Sequence, residues 1–218
     1  MASDQVRAYF DTRAGRFDRL YRDDSRLEAW VNRTFRQAVY QRFRVTLAES
    51  GDVTGASVLD VGCGPGRYAI AYAKLGAARV VGVDVAEQML ELARTHAAAN
   101  EVADRCHFAR GDFLTTPFDE RFDVVLAIGV FDYLPEAVPF LRRMVELSRR
   151  RVIATFPGRS PLRMRFRRLR YAARGVPVFF YRADEVEALA RAAGLSRFTL
   201  VPLTTSGTGY VLVGDIGG

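Results

Sequence analysis

The sequence predicts an α/β fold in which strands of a mostly parallel sheet alternate with helices. Short apolar runs at 57–61, 79–84 and 122–130 are each followed, directly or after a polar turn, by a helical spacing of apolar residues. A glycine-rich turn, Gly62-Cys63-Gly64-Pro65-Gly66, joins the first run to a helical pattern over 68–75. With 218 residues, 49% of them hydrophobic, the chain can bury the core of one such domain.

The glycine turn departs from the dinucleotide-binding pattern. That pattern would place its third glycine at position 67, where Arg67 stands, and Gly66 comes one residue early. The turn therefore has the form G-x-G-x-G, preceded by the acidic Asp60. Pro65 fits the first turn of the following helix, where its missing N–H costs nothing. The turn taken alone is equally consistent with an ordinary strand–helix connection or a degenerate dinucleotide site.

The charge of the bound ligand separates a dinucleotide site from a site for S-adenosylmethionine. A helix N-terminus with free N–H groups suits a pyrophosphate. S-adenosylmethionine carries no phosphate, but an ammonium, a carboxylate and a sulfonium on a nucleoside. Asp60 would suit the ammonium, directly or through water, and glycines at 62 and 64 would allow the ligand close to the backbone. The sequence that follows the turn supports this second type of ligand.

An acid ends the second predicted strand, which covers 79–84. Asp84 lies a little over twenty residues beyond the glycines, where nucleoside-binding α/β folds place an acid that accepts both ribose hydroxyls. Asp84 also precedes a predicted helix over 86–99, so an N-cap role is the alternative. The two roles are compatible.

The third and fourth predicted strands also end in candidate site residues. The third covers 106–113 and ends in Gly111-Asp112-Phe113, where an acid can accept from an adenine amino group while the neighbouring ring or backbone contacts the base. Turn chemistry alone also explains Gly111-Asp112. The fourth covers 122–130 and leads to Asp132 and Tyr133 before a helix that ends at Leu147. Ligands of open α/β sheets bind beyond such strand ends.

Together these motifs resemble the class I S-adenosylmethionine-dependent methyltransferases of the small-molecule type. The matching segments are 58–66, 82–84, 111–113 and 122–125, in the order and spacing of that family. The resemblance implies S-adenosylmethionine as cofactor, with the glycine turn at the methionine portion, Asp84 at the ribose, and Asp112 and Phe113 at the adenine. The backbone around Ile128 would line the methionine and methyl end. The predicted cofactor residues are Asp60, Gly62, Cys63, Gly64, Gly66, Asp84, Val85, Met89, Asp112, Phe113, Ile128 and Gly129.

The resemblance also implies the sheet. A fifth strand is predicted at 151–157, a helix from 181–184 to Ala193 with Gly194 after it, and two further strands at 196–202 and 209–214. In the family these elements form a Rossmann-like seven-stranded sheet of order 3-2-1-4-5-7-6, with the last strand antiparallel.

Two segments lie outside this predicted core. Residues 1–50 are predicted as an N-terminal helical appendage to a core at 51–218. An aromatic helical face at 4–22 suits a lid over the ligand or packing on the sheet, and a helix over 27–49 is expected to pack on the sheet. An arginine-rich insert at 158–180 forms a solvated cap or binds an anion or a membrane surface.

The predicted activity is methyl transfer to a small-molecule acceptor, on oxygen or nitrogen. Such a reaction needs orientation and exclusion of water rather than a metal, and no catalytic residue is assigned. Candidate acceptor contacts are Tyr9, Tyr21, Asp132 and Tyr133, whereas His96 and His107 are expected to be structural. An RNA methyltransferase and a non-catalytic cofactor-binding protein are the alternatives. The aromatic segments also resemble, distantly, tetrapyrrole and quinone-precursor O-methyltransferases.

Charge and composition narrow the remaining classes. The formal net charge is +7, and nearly all the positive charge comes from arginine. This excess indicates either an anionic partner or a genome whose codon usage favours arginine. Nucleic acid is the less favoured partner. No apolar run is long enough for a membrane span, and the N-terminus lacks the layout of a signal peptide. Two cysteines make neither a disulfide framework nor a zinc site, so a cytoplasmic location is expected. The oligomeric state is not indicated.

Overall fold

The computed structural model describes residues 28–159, 176–204 and 209–217. The aromatic segment 4–22, most of the arginine-rich insert and the candidates Tyr9 and Tyr21 lie outside these ranges. Within them the chain folds into one sheet with helices on both faces. The helices are α1 (Glu28–Glu49), α2 (Arg67–Lys74), α3 (Glu87–Ala99), α4 (Ala137–Leu147) and α5 (Ala183–Ala192). The strands are β1 (Ser57–Val61), β2 (Arg79–Asp84), β3 (Cys106–Arg110), β4 (Phe122–Ala127), β5 (Ser148–Pro157), β6 (Arg197–Pro202) and β7 (Gly209–Asp215).

The sheet has the predicted order, β3-β2-β1-β4-β5-β7-β6. Strands β1 to β5 pair in parallel, with Leu59 opposite Val81 on one side and opposite Val125 on the other. Strand β7 runs antiparallel to both of its neighbours, β5 and β6. The direction of the order reverses between β1 and β4, so a crevice opens there at the carboxyl ends of the strands.

The central strands β1 and β4 are buried on both faces of the sheet, as parallel strands require. Successive residues of β1 alternate between two clusters, with Leu59 in one and Val58 in the other. Helices α4 and α5 cover the first cluster through side chains such as Leu141 and Val186. Helix α2 covers the second through Ala69 and Tyr72. Because helices cover both faces, a ligand reaches these strands at their ends.

Helix α1 packs on the second cluster, as predicted for 27–49. Val45 and Leu47 contact it, and Thr46 is fully buried. The end of the helix is fastened by hydrogen bonds: the Ser50 hydroxyl bonds to the Tyr72 hydroxyl, and Arg151 Nη1 donates to the Glu49 carbonyl at 2.8 Å. The second half of α1 is therefore held firmly on the core.

Several predicted boundaries are wrong, each for a local reason. Strand β3 ends at Arg110 rather than at 113, because Asp112 turns the chain by accepting the Leu114 N–H. Strand β4 ends at Ala127 rather than at 130, because Ala127 forms its last ladder pair with β5. Strand β5 begins three residues early, at Ser148. Pro65 precedes α2 instead of lying in its first turn, since Gly66 is the N-cap residue of that helix.

No helix in the described ranges is long and apolar enough to cross a membrane.

Candidate functional site

The glycine turn is fastened to its neighbours on both sides. The backbone N–H groups of Gly62 and Cys63 donate to the Val83 carbonyl of β2, at 2.7 and 3.2 Å. A Cβ added at Gly62 would lie 2.5 Å from Cγ2 of Val130, in the loop after β4. Glycine is therefore required at this position for the two loops to pack together. The turn and the β4 loop form one continuous surface at the crevice.

Asp84 holds the middle of the turn. Its Oδ2 accepts the Gly64 N–H at 2.8 Å, and its Oδ1 accepts the Ala86 N–H at 2.9 Å, just before α3. Both carboxylate oxygens of Asp84 therefore accept a backbone N–H. The N-cap role predicted as the alternative is wrong, because the N-cap residue of α3 is Ala86 and no side chain caps this helix; Asp84 binds the backbone N–H of that residue instead. The role of Asp84 toward a ribose diol stays a prediction.

Asp60 lies beneath the turn. The residue is 1% exposed, and its Oδ2 accepts the Ala69 N–H of α2 at 3.2 Å. Burial raises the pKa of Asp60 to about 8, and the nearby Asp84 carboxylate adds to that rise. Burial therefore favours the neutral form of this carboxyl group, and a cation beside it would favour the ionised form. Its predicted role toward an ammonium group stays a prediction.

Helix α3 contacts the turn through His96. His96 Nδ1 lies 3.0 Å from the Pro65 carbonyl, which gives this histidine the structural role expected of it. Burial raises the pKa of the Cys63 thiol, which disfavours its reactive thiolate form. Met89 is buried against Ala86, and Val85 is half-buried.

The end of β3 provides an exposed acid and a buried ring. Asp112 is exposed, and its Oδ1 accepts the Leu114 N–H at 2.9 Å. Phe113 is 4% exposed, and its ring centroid lies 4.7 Å from that of Phe140 in the core. The Phe113 ring is therefore committed to the core, and only its backbone and Asp112 remain as predicted adenine contacts.

A residue that the sequence analysis missed lies at the end of β4. The guanidinium of Arg42, on α1, lies over Gly129: a Cβ added there would be 3.3 Å from Nη1 and 3.8 Å from Nη2. Arg42 follows Val39 by three residues, beside the apolar stripe of its helix. The sequence does show that Arg42 lies beside the apolar stripe of α1. It does not show which residue Arg42 contacts, because that depends on how α1 crosses the sheet.

The placement of Arg42 is supported by a neighbouring stack. The guanidinium carbon of Arg67, in the first turn of α2, lies 4.4 Å from the centroid of the Phe43 ring and 5.4 Å from that of Tyr40. The Phe43 ring also contacts Tyr68, with 5.2 Å between centroids. Cations over aromatic rings attract. Helix α1 is therefore joined to the helix that leaves the glycine turn.

The loop after β4 carries the two acceptor candidates that the structure describes. Asp132 is 8% exposed, and Tyr133 is half-buried. The Phe179 N–H donates to the Asp132 carbonyl at 2.9 Å, and the Tyr181 hydroxyl donates to the Phe131 carbonyl at 3.3 Å. Burial, aided by the Asp132 carboxylate, raises the pKa of Tyr181 to about 12. The chain returning from the insert thus holds this loop.

The structure brings the predicted cofactor residues to the carboxyl edge of β1 to β4, around the reversal in strand order. The residues there fit S-adenosylmethionine. A Cβ added at Gly64 would meet nothing within 4 Å, so space is open beside Asp84, and the Arg42 guanidinium lies over Gly129. Among the described residues, no three His, Cys, Asp or Glu side chains are grouped to hold a metal ion.

This sheet order with this strand-end site defines the class I methyltransferase fold. Residues 58–151 match the family described as a methyltransferase domain. Over these residues the chain is similar to that family, and its sheet has the strand order of the class I methyltransferase fold.

Individual relatives are similar over different shares of the chain. A ubiquinone biosynthesis O-methyltransferase of Neisseria meningitidis is 42% identical over 97 residues, 44% of this chain and 41% of the relative. A 27-O-demethylrifamycin SV methyltransferase of Amycolatopsis mediterranei is 32% identical over 148 residues, 65% of this chain and 54% of the relative. The chain thus spans about two fifths to one half of the length of these relatives.

Among solved structures, magnesium protoporphyrin IX methyltransferase from Synechocystis PCC 6803, crystallised with bound SAH, superposes with a TM-score of 0.75. The two chains are 21% identical, and the match covers 97% of this chain and 98% of the other. At that identity the likeness establishes the fold.

Proposed function

We propose that this protein is an enzyme that transfers a methyl group from S-adenosylmethionine to a small-molecule acceptor, on oxygen or nitrogen. The observation that carries the proposal is the bond from Gly64 to Asp84, which joins the glycine turn and the acid of β2 into one surface at the crevice. When bound, S-adenosylmethionine supplies an activated methyl group on a sulfonium. The protein supplies orientation and exclusion of water.

The nucleoside portion is held from β2 and β3. Asp84 accepts the ribose hydroxyls, and Asp112 accepts from the adenine amino group. The open space beside Gly64 supports this placement. The turn itself, from Gly62 to Gly66, and the side chains of Val85 and Met89 surround the ligand without bonding to it.

The amino-acid portion is held from β1, β4 and α1. Arg42 pairs with the carboxylate, because its guanidinium lies over Gly129 at the end where the methionine portion is expected. A charge-assisted bond of this kind is about twice as strong as a neutral one. Asp60 stabilises the ammonium from beneath the turn, and the ammonium in turn favours the ionised form of this carboxyl group.

The acceptor enters beside the loop after β4. Asp132 and Tyr133 present a carboxylate and a hydroxyl there, which orient the hydroxyl or amine that receives the methyl group. The bonds from Phe179 and Tyr181 support this role, since they fix the loop at two carbonyls.

The test is a transfer assay with methyl-labelled S-adenosylmethionine. Parallel arms contain pooled phenols, carboxylic acids and amines, and a separate arm contains total RNA. Label is expected in one small-molecule pool and not in RNA. Label in RNA alone would replace the proposal with RNA methylation, and no binding of S-adenosylhomocysteine by calorimetry would contradict both.

A further inference from the structure

A buried hydroxyl on β5 contacts the backbone at the end of β4. Thr155 is 3% exposed, and its Oγ1 accepts the Gly129 N–H at 2.8 Å. Regular pairing of β4 with β5 stops just before this point, at Ala127 and Ala154. The Thr155 side chain therefore takes over from the backbone ladder where the chain turns at Gly129.

This bond determines how the preceding peptide group is oriented. The described chain has no cis peptide, so the Ile128 carbonyl points opposite to the Gly129 N–H of the same planar group. Since that N–H points to Thr155 on β5, the Ile128 carbonyl points away from β5. In the sheet order the neighbour of β4 on its other side is β1, which leads into the glycine turn. The Ile128 carbonyl is thereby aimed at the crevice.

The conformation at Gly129 depends on this restraint. Its φ of +80° is a conformation that glycine reaches without strain but does not prefer over others. A glycine without a partner for its N–H would sample several peptide orientations. The Thr155 hydroxyl selects one of them, and the Arg42 guanidinium lies over the same residue.

We propose that Thr155 is a positioning residue for the amino-acid end of the cofactor, because its hydroxyl presents the Ile128 carbonyl to the ligand's ammonium group. The inference rests on the proposed function and adds a residue that does not itself touch the ligand. Valine has nearly the shape of threonine, so burial of a hydroxyl at this position is explained by the bond that it makes.

The experiment compares two ligands on four proteins. Calorimetry measures the Kd of S-adenosylhomocysteine, which has the amino-acid end, and of 5′-methylthioadenosine, which lacks it. The proteins are wild type, Thr155→Val, Thr155→Ala as a second variant without the hydroxyl, and Thr155→Ser, which keeps it. Thermal unfolding confirms that each variant is folded.

We expect Thr155→Val and Thr155→Ala to bind S-adenosylhomocysteine about tenfold more weakly, because a buried N–H is left unpaired and the carbonyl is misdirected. Thr155→Ser should stay near wild type, and the Kd of 5′-methylthioadenosine should not change. Equal weakening of both ligands would overturn the inference in favour of a general packing role, as would no weakening at all. Wild type that binds neither ligand would overturn the proposed function and this inference together.

Discussion

The carboxylate of Asp84 accepts the backbone N–H of Gly64 at 2.8 Å, so the residue that ends β2 holds the glycine turn that follows β1. Two strands adjacent in the sheet thereby share one rigid connection at their carboxyl ends.

Replacement of Asp84 tests the nucleoside end. Asp84→Ala removes a charged acceptor for the ribose, which is worth roughly 1.5–3 kcal/mol per bond. Calorimetry should show S-adenosylhomocysteine bound at least about tenfold more weakly, and 5′-methylthioadenosine weakened likewise. Asp104→Ala is the matched control, because Asp104 is exposed and precedes β3, at the amino ends of the strands and away from the crevice. Wild-type affinity in Asp84→Ala would contradict the ribose assignment.

Replacement of Arg42 tests the other end of the ligand. Arg42→Gln should weaken S-adenosylhomocysteine by about tenfold, the worth of one charge-assisted bond, and leave 5′-methylthioadenosine unchanged. Arg44→Gln changes the same charge two residues away on the exposed side of α1 and should bind both ligands as wild type does. If the two variants behave alike, Arg42 does not contact the amino-acid portion.

The buried Asp60 predicts a dependence of stability on pH. Its pKa is about 8 in the folded protein and 3.8 in the reference state, so the folded protein holds the proton more tightly. The resulting stability is fully present below about pH 4 and is lost as the pH rises to about 8. Asp60→Asn does not titrate. In urea unfolding, the midpoint of wild type should therefore fall relative to that of Asp60→Asn between pH 5 and 8; parallel curves would show that Asp60 is ionised in the fold.

Removal of the Tyr181 hydroxyl is expected to weaken binding of the acceptor and to leave binding of the cofactor unchanged. Tyr181→Phe removes the bond to the Phe131 carbonyl but keeps the ring, which packs edge-on against Phe156 at 5.2 Å between centroids. Unfolding free energy should fall by about 1 kcal/mol. With the acceptor found in the labelling assay, KM should rise while the Kd of S-adenosylhomocysteine stays constant. Tyr210→Phe, another half-buried tyrosine, is the control, and a changed cofactor Kd would refute the separation.

Sequence was sufficient for the sheet because its signals are local. Apolar runs mark β1, β2 and β4, and the resemblance supplied an order that pairs such as Leu59 with Val81 confirm. Strand ends were less predictable. An apolar run such as 122–130 continues past the last ladder pair, so hydrophobicity alone does not show where Gly129 leaves the sheet.

The site was predictable where it lies in motifs and not where it depends on packing. Asp84 follows the glycines at a fixed spacing, whereas Arg42 and Thr155 meet at Gly129 from elements separated by more than a hundred residues. For Phe113 the motif was misleading. Its position beside Asp112 suggested a contact with the adenine base, but its ring packs against Phe140 in the core.

Strand β7 follows all other strands in the sequence and yet lies between β5 and β6. During synthesis on the ribosome, β5 is therefore exposed along one edge until residues 209–215 emerge. Exposed edges of this kind recruit other chains. Since β5 carries Thr155 opposite Val211, the ligand site reaches its final support only at that stage. Stalled nascent chains that end before Gly209 should accordingly be cleaved by protease within β5, and chains that extend past Asp215 should resist.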